Sequence, residues 1–298
     1  MFAATIRHEI KAARRERLPQ LILIVFLFMV AAASFIGWLT HETVTSVYNE
    51  ALRQGATTQP NPFLQIPQLD PVKNVVIYMA LIGALFAVLI GVRSSVRDRK
   101  SRVLDLVFSR PVSKRQYVAA RFIGMAIWLG VITVIAAVLT WLSLWIVQGH
   151  ATSLGNTGRL LAFFALSWLF LLPFMALGMM SGMRAKGETT ALLVPILVWA
   201  LVTFVVPQFG TAEEPISFLN PVPAQPASEG AFFQINHQVL QPFSFTDHYK
   251  ELSAASLHFT DDHDTTRQML EFALIVGVTV VPLLVCAPQL MRKGELYE

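Results

Sequence analysis

Residues Leu160–Met183 read LLAFFALSWLFLLPFMALGMMSGM and contain no Asp, Glu, Lys, Arg or His. An α-helix rises about 1.5 Å per residue, so about 20 apolar residues cross the hydrocarbon of a bilayer. Five other stretches satisfy this criterion, and the one Asp, Glu, Lys, Arg or His that they contain is Lys73, at the edge of the second. The sequence therefore predicts six transmembrane helices, at 18–39, 72–92, 122–147, 160–183, 189–209 and 272–291.

The composition agrees with this fold class. The chain has 298 residues, of which 54% are hydrophobic and only 14% charged, against about 25% charged residues in an average soluble domain. So few charges cannot cover soluble surfaces, which excludes a soluble globular enzyme. Cys286 is the single cysteine, so an intramolecular disulfide and a cysteine-based metal cluster are excluded. We expect one all-α membrane domain over residues 1–298.

The basic residues set the expected orientation. Lys and Arg total 23, and 18 of them lie before the first span, between spans two and three, between spans four and five, or after the sixth. Cytoplasmic loops carry the excess of Lys and Arg, so both termini are predicted to be cytoplasmic. The same placement explains the pI of about 9.4 and leaves no support for nucleic-acid binding. Ala31–Ser34 fit the outline of a signal-peptide cleavage site, but the apolar run continues to Leu39, which favours a retained first span.

Residues 1–17 predict a cytoplasmic amphipathic helix. Phe2, Ile6, Ile10 and Ala13 recur at helical spacing, with basic residues between them. Such a helix lies in the membrane interface, its apolar side at the headgroup boundary and its basic side toward anionic lipid. The alternative is a solvated basic tail that follows the positive-inside rule.

The predicted cytoplasmic segment 93–121 connects spans two and three. Within Arg97–Arg110, apolar residues recur at helical spacing among charged ones, which is typical of a short amphipathic helix. Pro111 ends this helix, and Ser113 with Gln116 forms a capping-box pattern where the next helix begins. A short helix held between two spans suits force transfer from a soluble partner. The alternative is a surface helix that lies on lipid.

Two stretches carry a resemblance to a known family. Residues 98–118, DRKSRVLDLVFSRPVSKRQYV, resemble the cytoplasmic segment of ABC-2 type exporter permeases, and the six-span layout is similar over essentially the whole chain. Arg102 stands where that family usually has glycine, which casts doubt on a tight turn there. Residues 242–253, PFSFTDHYKELS, are similar to a stretch in the permease branch tied to multicopper-enzyme maturation, the nitrous-oxide-reductase accessory type.

The resemblance implies a permease subunit of the plasma (inner) membrane that dimerises with a second copy or a related permease. It implies no catalytic residues and no cofactor in this chain, since a separate ABC ATPase subunit would bind ATP and Mg²⁺. An extracytoplasmic accessory protein and membrane lipids are further expected partners. The residues that would couple this chain to the ATPase are Asp98, Val103, Leu104, Asp105, Val107, Phe108, Ser109, Pro111 and Ser113.

The sequence lacks the motifs by which this chain could itself use ATP or an ion gradient to drive transport. No Gly-x-x-x-x-Gly-Lys-Ser/Thr is present, so this chain has no phosphate-binding loop of that type. Ion-coupled carriers usually place ionisable residues inside the membrane, and the predicted spans offer almost none. Six of the seven histidines fall in predicted outer segments, but their spacing matches no established ligand pattern, and no metal site is assigned. The alternatives are a scaffold of a metalloenzyme maturation complex and an uncoupled channel or carrier.

Small residues in two of the predicted spans indicate close helix packing. The small residues of spans two and four recur at a spacing of four, which favours close helix packing, either within the chain or at a dimer or moving interface. These packing residues are Gly83, Ala87, Gly91, Gly178 and Gly182.

The extracytoplasmic region 210–271 predicts two short amphipathic helices, around Ile235 and around Tyr249. We expect them to cap the outer mouth of the pathway or to form a docking surface for an extracytoplasmic protein.

Overall fold

The computed structural model describes residues 2–15, 17–56, 68–100, 113–148, 152–207, 231, 235, 239, 244–259 and 265–290. Their secondary structure is almost entirely helical, and six helices are long and apolar enough to cross a membrane. The six spans are Arg17–Arg53, Asp70–Lys100, Lys114–Gln148, Leu154–Arg184, Glu188–Val205 and Thr265–Leu290. Two shorter helices join them: the N-terminal helix, Phe2–Ala13, and the loop helix, Phe245–Ser256. The prediction of an all-α protein with six membrane helices is confirmed.

The helices extend beyond most of the apolar segments that predicted them. Span one continues through residues 40–53 to Arg53, beyond the end predicted at residue 39. Span two continues to Lys100 as one helix, with a 3₁₀ turn at its start and a π-helical turn at Met79–Gly83. Hydropathy falls at the membrane surface, whereas the backbone hydrogen bonds of a helix continue until a capping or breaking residue.

Spans two and four form the centre of the bundle because small residues let their backbones meet. A Cβ atom added to Gly91 would lie 2.2 Å from the carbonyl oxygen of Met175, and one added to Gly178 would lie 2.3 Å from the carbonyl oxygen of Val88. Gly182 is similarly close, 2.7 Å from the Cβ of Ser95. Only glycine fits at such contacts. These residues therefore pack two helices of one chain.

The two other small residues of span two lie in the same interior. Ala87 and Gly83 are both buried. A Cβ added to Gly83 would make ordinary 3.4 Å contacts with Leu171 and Phe26. Gly83 therefore tolerates a small side chain better than the three glycines at the backbone contacts. Spans one, five and six surround this centre and expose many large apolar side chains, as helices in contact with lipid do.

The loop helix lies between the spans, although the sequence suggested a cap above them. The Ser256 hydroxyl donates to the carbonyl of Arg159 at 3.3 Å, near one end of span four. At the other end of the loop helix, the ring of Phe245 stacks on Phe170 with 5.2 Å between centroids. These contacts are eleven positions apart along span four, which corresponds to about 16 Å along its axis. The loop helix therefore runs antiparallel to span four and reaches well into the bundle.

Aromatic packing explains this depth. Phe245, Tyr249 and Leu252 recur on one face of the loop helix, and Tyr249 is fully buried. Its ring stacks on Phe170 with 4.1 Å between centroids, and its hydroxyl lies 2.8 Å from the Ser167 hydroxyl. Span four thus gives this face both an apolar surface and a hydrogen-bond partner for its phenol.

Candidate functional site

Six side chains from three helices meet where spans two and three approach the segment 101–112. Their spacing places each set on one helix face, because residues three or four apart are neighbours on a helix. We call them the Glu9–Arg121 cluster, and its members are Glu9, Ser94, Arg97, Asp98, Tyr117 and Arg121. The N-terminal helix supplies Glu9, span two supplies the next three, and span three supplies the last two.

Arg121 lies at the centre of this cluster and is 1% exposed. Its Nη1 is 2.7 Å from Oδ2 of Asp98, and its Nε is 3.3 Å from Oε1 of Glu9. The same guanidinium donates to the hydroxyl of Ser94 at 2.8 and 2.9 Å and to the backbone carbonyl of that residue. Tyr117 donates its hydroxyl to Asp98. One guanidinium therefore joins spans two and three to the N-terminal helix, using the fork of donors that distinguishes Arg from Lys.

Glu9 is the contribution of the N-terminal helix. Its carboxylate is 2% exposed and accepts from Ser94 at 2.9 Å and from Arg97 at 2.8 Å. The N-terminal helix can come this close because span three has Gly124 at the contact, where an added Cβ would lie 2.9 Å from the Cβ of Glu9. Residues Phe2–Ala13 thus form a helix, and its Glu9 face packs on protein. Its basic residues Arg7 and Lys11 are exposed.

The charges of the cluster balance. Two carboxylates, Glu9 and Asp98, face two guanidinium groups, Arg97 and Arg121, so the buried group is formally neutral. Burying ions is costly, and mutual pairing with further hydrogen bonds offsets that cost. Separating any of the three helices would leave buried charges unpaired, so the cluster favours their association.

A second set of contacts holds the other side of span two. Arg99 is buried and donates to the carbonyls of Gly182 and Ala185 at 3.2 and 2.5 Å. Glu188, at the start of span five, pairs with Arg93 at 2.9 Å and with Lys100. The last two turns of span two are consequently tied to the connection between spans four and five as well.

Comparison with known proteins identifies the family. A family model described as "ABC-2 family transporter protein" matches residues 3–294, nearly the whole chain. The chain belongs to the ABC-2 transporter family. This confirms the resemblance that residues 98–118 suggested, and it makes the protein a multi-pass membrane protein and a permease component of an ABC transporter. Members of this family work, in general, with an ABC ATPase. No curated protein matches the chain significantly.

The structure of the ABC-2 permease describes two of the nine predicted coupling residues. Asp98 is buried in the Glu9–Arg121 cluster, and Ser113 is exposed immediately before span three, where its carbonyl accepts from Tyr117 at 3.1 Å. The other seven lie outside the described residues: Val103, Leu104, Asp105, Val107, Phe108, Ser109 and Pro111. The segment 101–112 is thus flanked on both sides by helices whose side chains belong to the Glu9–Arg121 cluster.

Sequence reasoning missed most of the Glu9–Arg121 cluster. The sequence pattern marks Arg121 and Arg97 only as basic residues that set orientation, and it does not single out Glu9. One signal was available: Glu9 lies in the apolar stripe between Ile6 and Ala13, where a helix on lipid would not place a carboxylate.

The stretch that suggested the multicopper-maturation branch of the ABC-2 family lies partly inside the bundle. It contains Phe245 and Tyr249, and both have packing partners on span four. Among the residues that the structure describes, no three His, Cys, Asp or Glu side chains are grouped as metal ligands. Asp247 of this stretch pairs with Lys250 at 3.2 Å, so the two largely buried charges compensate each other.

Proposed function

We propose that this ABC-2 permease is the membrane subunit of an exporter in which a separate ATPase moves residues 101–112 and thereby the spans. The position of the Glu9–Arg121 cluster carries the proposal, because the cluster joins the helix that enters this segment to the helix that leaves it. A push on the segment would reach both spans and the N-terminal helix together. ATP and Mg²⁺ would bind to the ATPase, since the permease sequence contains no phosphate-binding loop.

The predicted orientation supports the same arrangement. The positive-inside rule puts the segment 101–112 on the cytoplasmic side, where an ATPase has access to it. The permease would function in the plasma (inner) membrane, as a dimer of two copies or with a related chain, and would move its substrate outward. Val103, Leu104 and Phe108 would supply the apolar contacts to the ATPase, and Asp98 would tie the entering helix to the bundle.

Docking is tested by capture of the ATPase. An ABC ATPase that co-purifies with the unaltered tagged permease is co-expressed with permease carrying Leu104→Asp or Phe108→Asp. We expect both variants to lose the ATPase in affinity purification while they still insert in the membrane. Val239→Asp, an equivalent substitution at an exposed position on the predicted outer side, should retain it. Undiminished capture by the Leu104 and Phe108 variants would contradict the docking role.

Transmission of movement from the segment 101–112 to the spans is tested separately, because the contacts of the Glu9–Arg121 cluster can be lost while the ATPase still docks. Nitroxide labels are placed at Val47→Cys and Leu154→Cys, two exposed positions, in a Cys286→Ser background. Electron–electron resonance then measures the distance between them with and without ATP. Asp98→Asn, which removes the ion pair between spans two and three, should retain the ATPase but lose the ATP-dependent change in distance, whereas Arg115→Gln at an exposed position should keep it. An unaltered change in the Asp98 variant would refute transmission through the cluster.

A further inference from the structure

A groove lies between spans three and four, in the halves of these helices far from the Glu9–Arg121 cluster. It encloses a cavity of about 490 Å³, within the range of sites that bind small molecules. Its lining is almost entirely apolar and includes Val134, Val138, Trp141, Leu161, Phe164 and Trp168. In the predicted orientation, this depth corresponds to the outer leaflet.

The inner end of the groove is closed by a well-anchored indole. Trp168 of span four donates its Nε1–H to the carbonyl of Ala126 on span three at 2.9 Å. Gly130 makes this approach possible, because an added Cβ would lie 3.3 Å from that Nε1. The hydrogen-bonded indole of Trp168 therefore belongs to the contact between spans three and four, and it closes the inner end of the cavity.

In the predicted orientation, the other end of the groove reaches the start of span four, where Thr157 lines it just before the apolar segment 160–183. Trp141 stacks on Trp145 near the end of span three, with 6.2 Å between ring centroids, and tryptophans concentrate at membrane interfaces. The Nε1–H of Trp141 is buried and has no hydrogen-bond partner among the described residues. A buried donor without an acceptor costs free energy, so an acceptor supplied by a ligand would be favourable here.

The side of the groove is open to the membrane. Val134 and Leu161 flank it and are 62% and 60% exposed, so lipid tails would reach the opening in a membrane. The cavity is long, apolar and open to lipid, and it ends beside an unpaired N–H at interface depth. These features match one acyl chain of a lipid, whose only strong hydrogen-bond acceptor is its ester carbonyl.

We propose that this groove binds one acyl chain of an outer-leaflet glycerophospholipid, with the ester carbonyl accepting a hydrogen bond from Trp141 Nε1. The bound chain fills the space between spans three and four and holds the outer half of span three at a set distance. The site does not depend on the ATPase, so its test is independent of the transport mechanism.

Photolabelling in nanodiscs tests the occupant. The permease is reconstituted in phosphatidylcholine containing a trace of phosphatidylcholine with a diazirine in the middle of one chain, irradiated, digested and analysed by mass spectrometry. We expect labels to concentrate on groove residues and to be sparse around Val278, which is 73% exposed on span six. Ala165→Phe, which fills the groove, should abolish groove labelling, and the matched Val278→Phe should not. Equal labelling of both faces, or undiminished groove labelling in the Ala165 variant, would overturn the proposal.

The anchor and the competing occupant have their own tests. Trp141→Phe keeps an aromatic ring but removes the donor, and it should lower the amount of phosphatidylcholine retained in native mass spectrometry by about fivefold, the effect of one neutral hydrogen bond. Unchanged retention would refute the anchor. Efficient disulfide formation between two copies carrying Val134→Cys in a Cys286→Ser background would show that a second copy covers the groove, and would overturn the lipid site.

Discussion

Replacing Arg121 by glutamine should destabilise the permease strongly, because the two carboxylates of the cluster depend on it. At an effective dielectric constant of about 20, its contacts of 2.7 Å to Asp98 and 3.3 Å to Glu9 correspond to roughly 6 and 5 kcal/mol of attraction. The cost of desolvating the ions cancels much of this. Removing one partner of a buried pair therefore costs about 3–5 kcal/mol.

Unfolding titrations in mixed micelles of dodecylmaltoside and SDS measure this loss as a change in the free energy of unfolding. Arg115→Gln, on an exposed turn of the same helix, is the matched control and should change stability by no more than about 0.5 kcal/mol. Glu9→Gln should lower the free energy of unfolding less than Arg121→Gln does, because both guanidinium groups would still pair with Asp98.

The double variant Glu9→Gln/Arg121→Gln gives the sharpest test. It restores the charge balance, since Arg97 still faces Asp98 at 3.6 Å. Its cost should therefore fall below the sum of the single costs by about 0.5–3 kcal/mol. Strict additivity, or an Arg121→Gln cost equal to that of the Arg115 control, would refute the reasoning.

Two further perturbations act on packing. Gly178→Ala would place a Cβ 2.3 Å from the carbonyl oxygen of Val88 and should cost about 1–3 kcal/mol through overpacking, whereas Gly277→Ala, with open space around it, should be neutral in the same titration. Tyr249→Phe removes the 2.8 Å contact with the Ser167 hydroxyl while keeping the ring stack, and should cost about 0.5–1.5 kcal/mol; faster proteolysis of the loop helix would report the same loss, and unchanged stability would show that this hydrogen bond contributes nothing.

The membrane spans could be predicted from sequence because their signal is local. A run of about twenty apolar residues is long enough to cross the hydrocarbon as a helix, and each predicted segment overlaps a helix of the structure. The ends of the helices were less predictable. Span one continues to Arg53 and span two to Lys100, because backbone hydrogen bonding carries on after the apolar composition stops.

The Glu9–Arg121 cluster was beyond local reasoning. Glu9 is more than 80 residues from Ser94 and Asp98 in the chain, and nothing in the spacing of charges states which carboxylate pairs with which guanidinium. Each charge fits equally well as an ordinary cytoplasmic residue under the positive-inside rule. The family resemblance points to Asp98 alone, and the structure adds that its carboxylate faces Arg121 inside the bundle.

The loop helix falls between these cases. The spacing of Phe245, Tyr249 and Leu252 predicts a helix there, and the structure has one at Phe245–Ser256. Its depth was not predictable, because Asp247 and Lys250 are typical of a solvated segment. Their mutual pairing and the aromatic surface of span four allow the segment to enter the bundle.

The contact between spans two and four has a mechanical consequence. Where carbonyl oxygens meet glycine Cα atoms, no side chain remains that could change rotamer and absorb a displacement, so the pair behaves as a stiff strut. Span four carries Gly178 at one level and Phe170, beneath the loop helix, at another. A tilt imposed on the end of span two near Asp98 should therefore move the Gly178 end of span four with it.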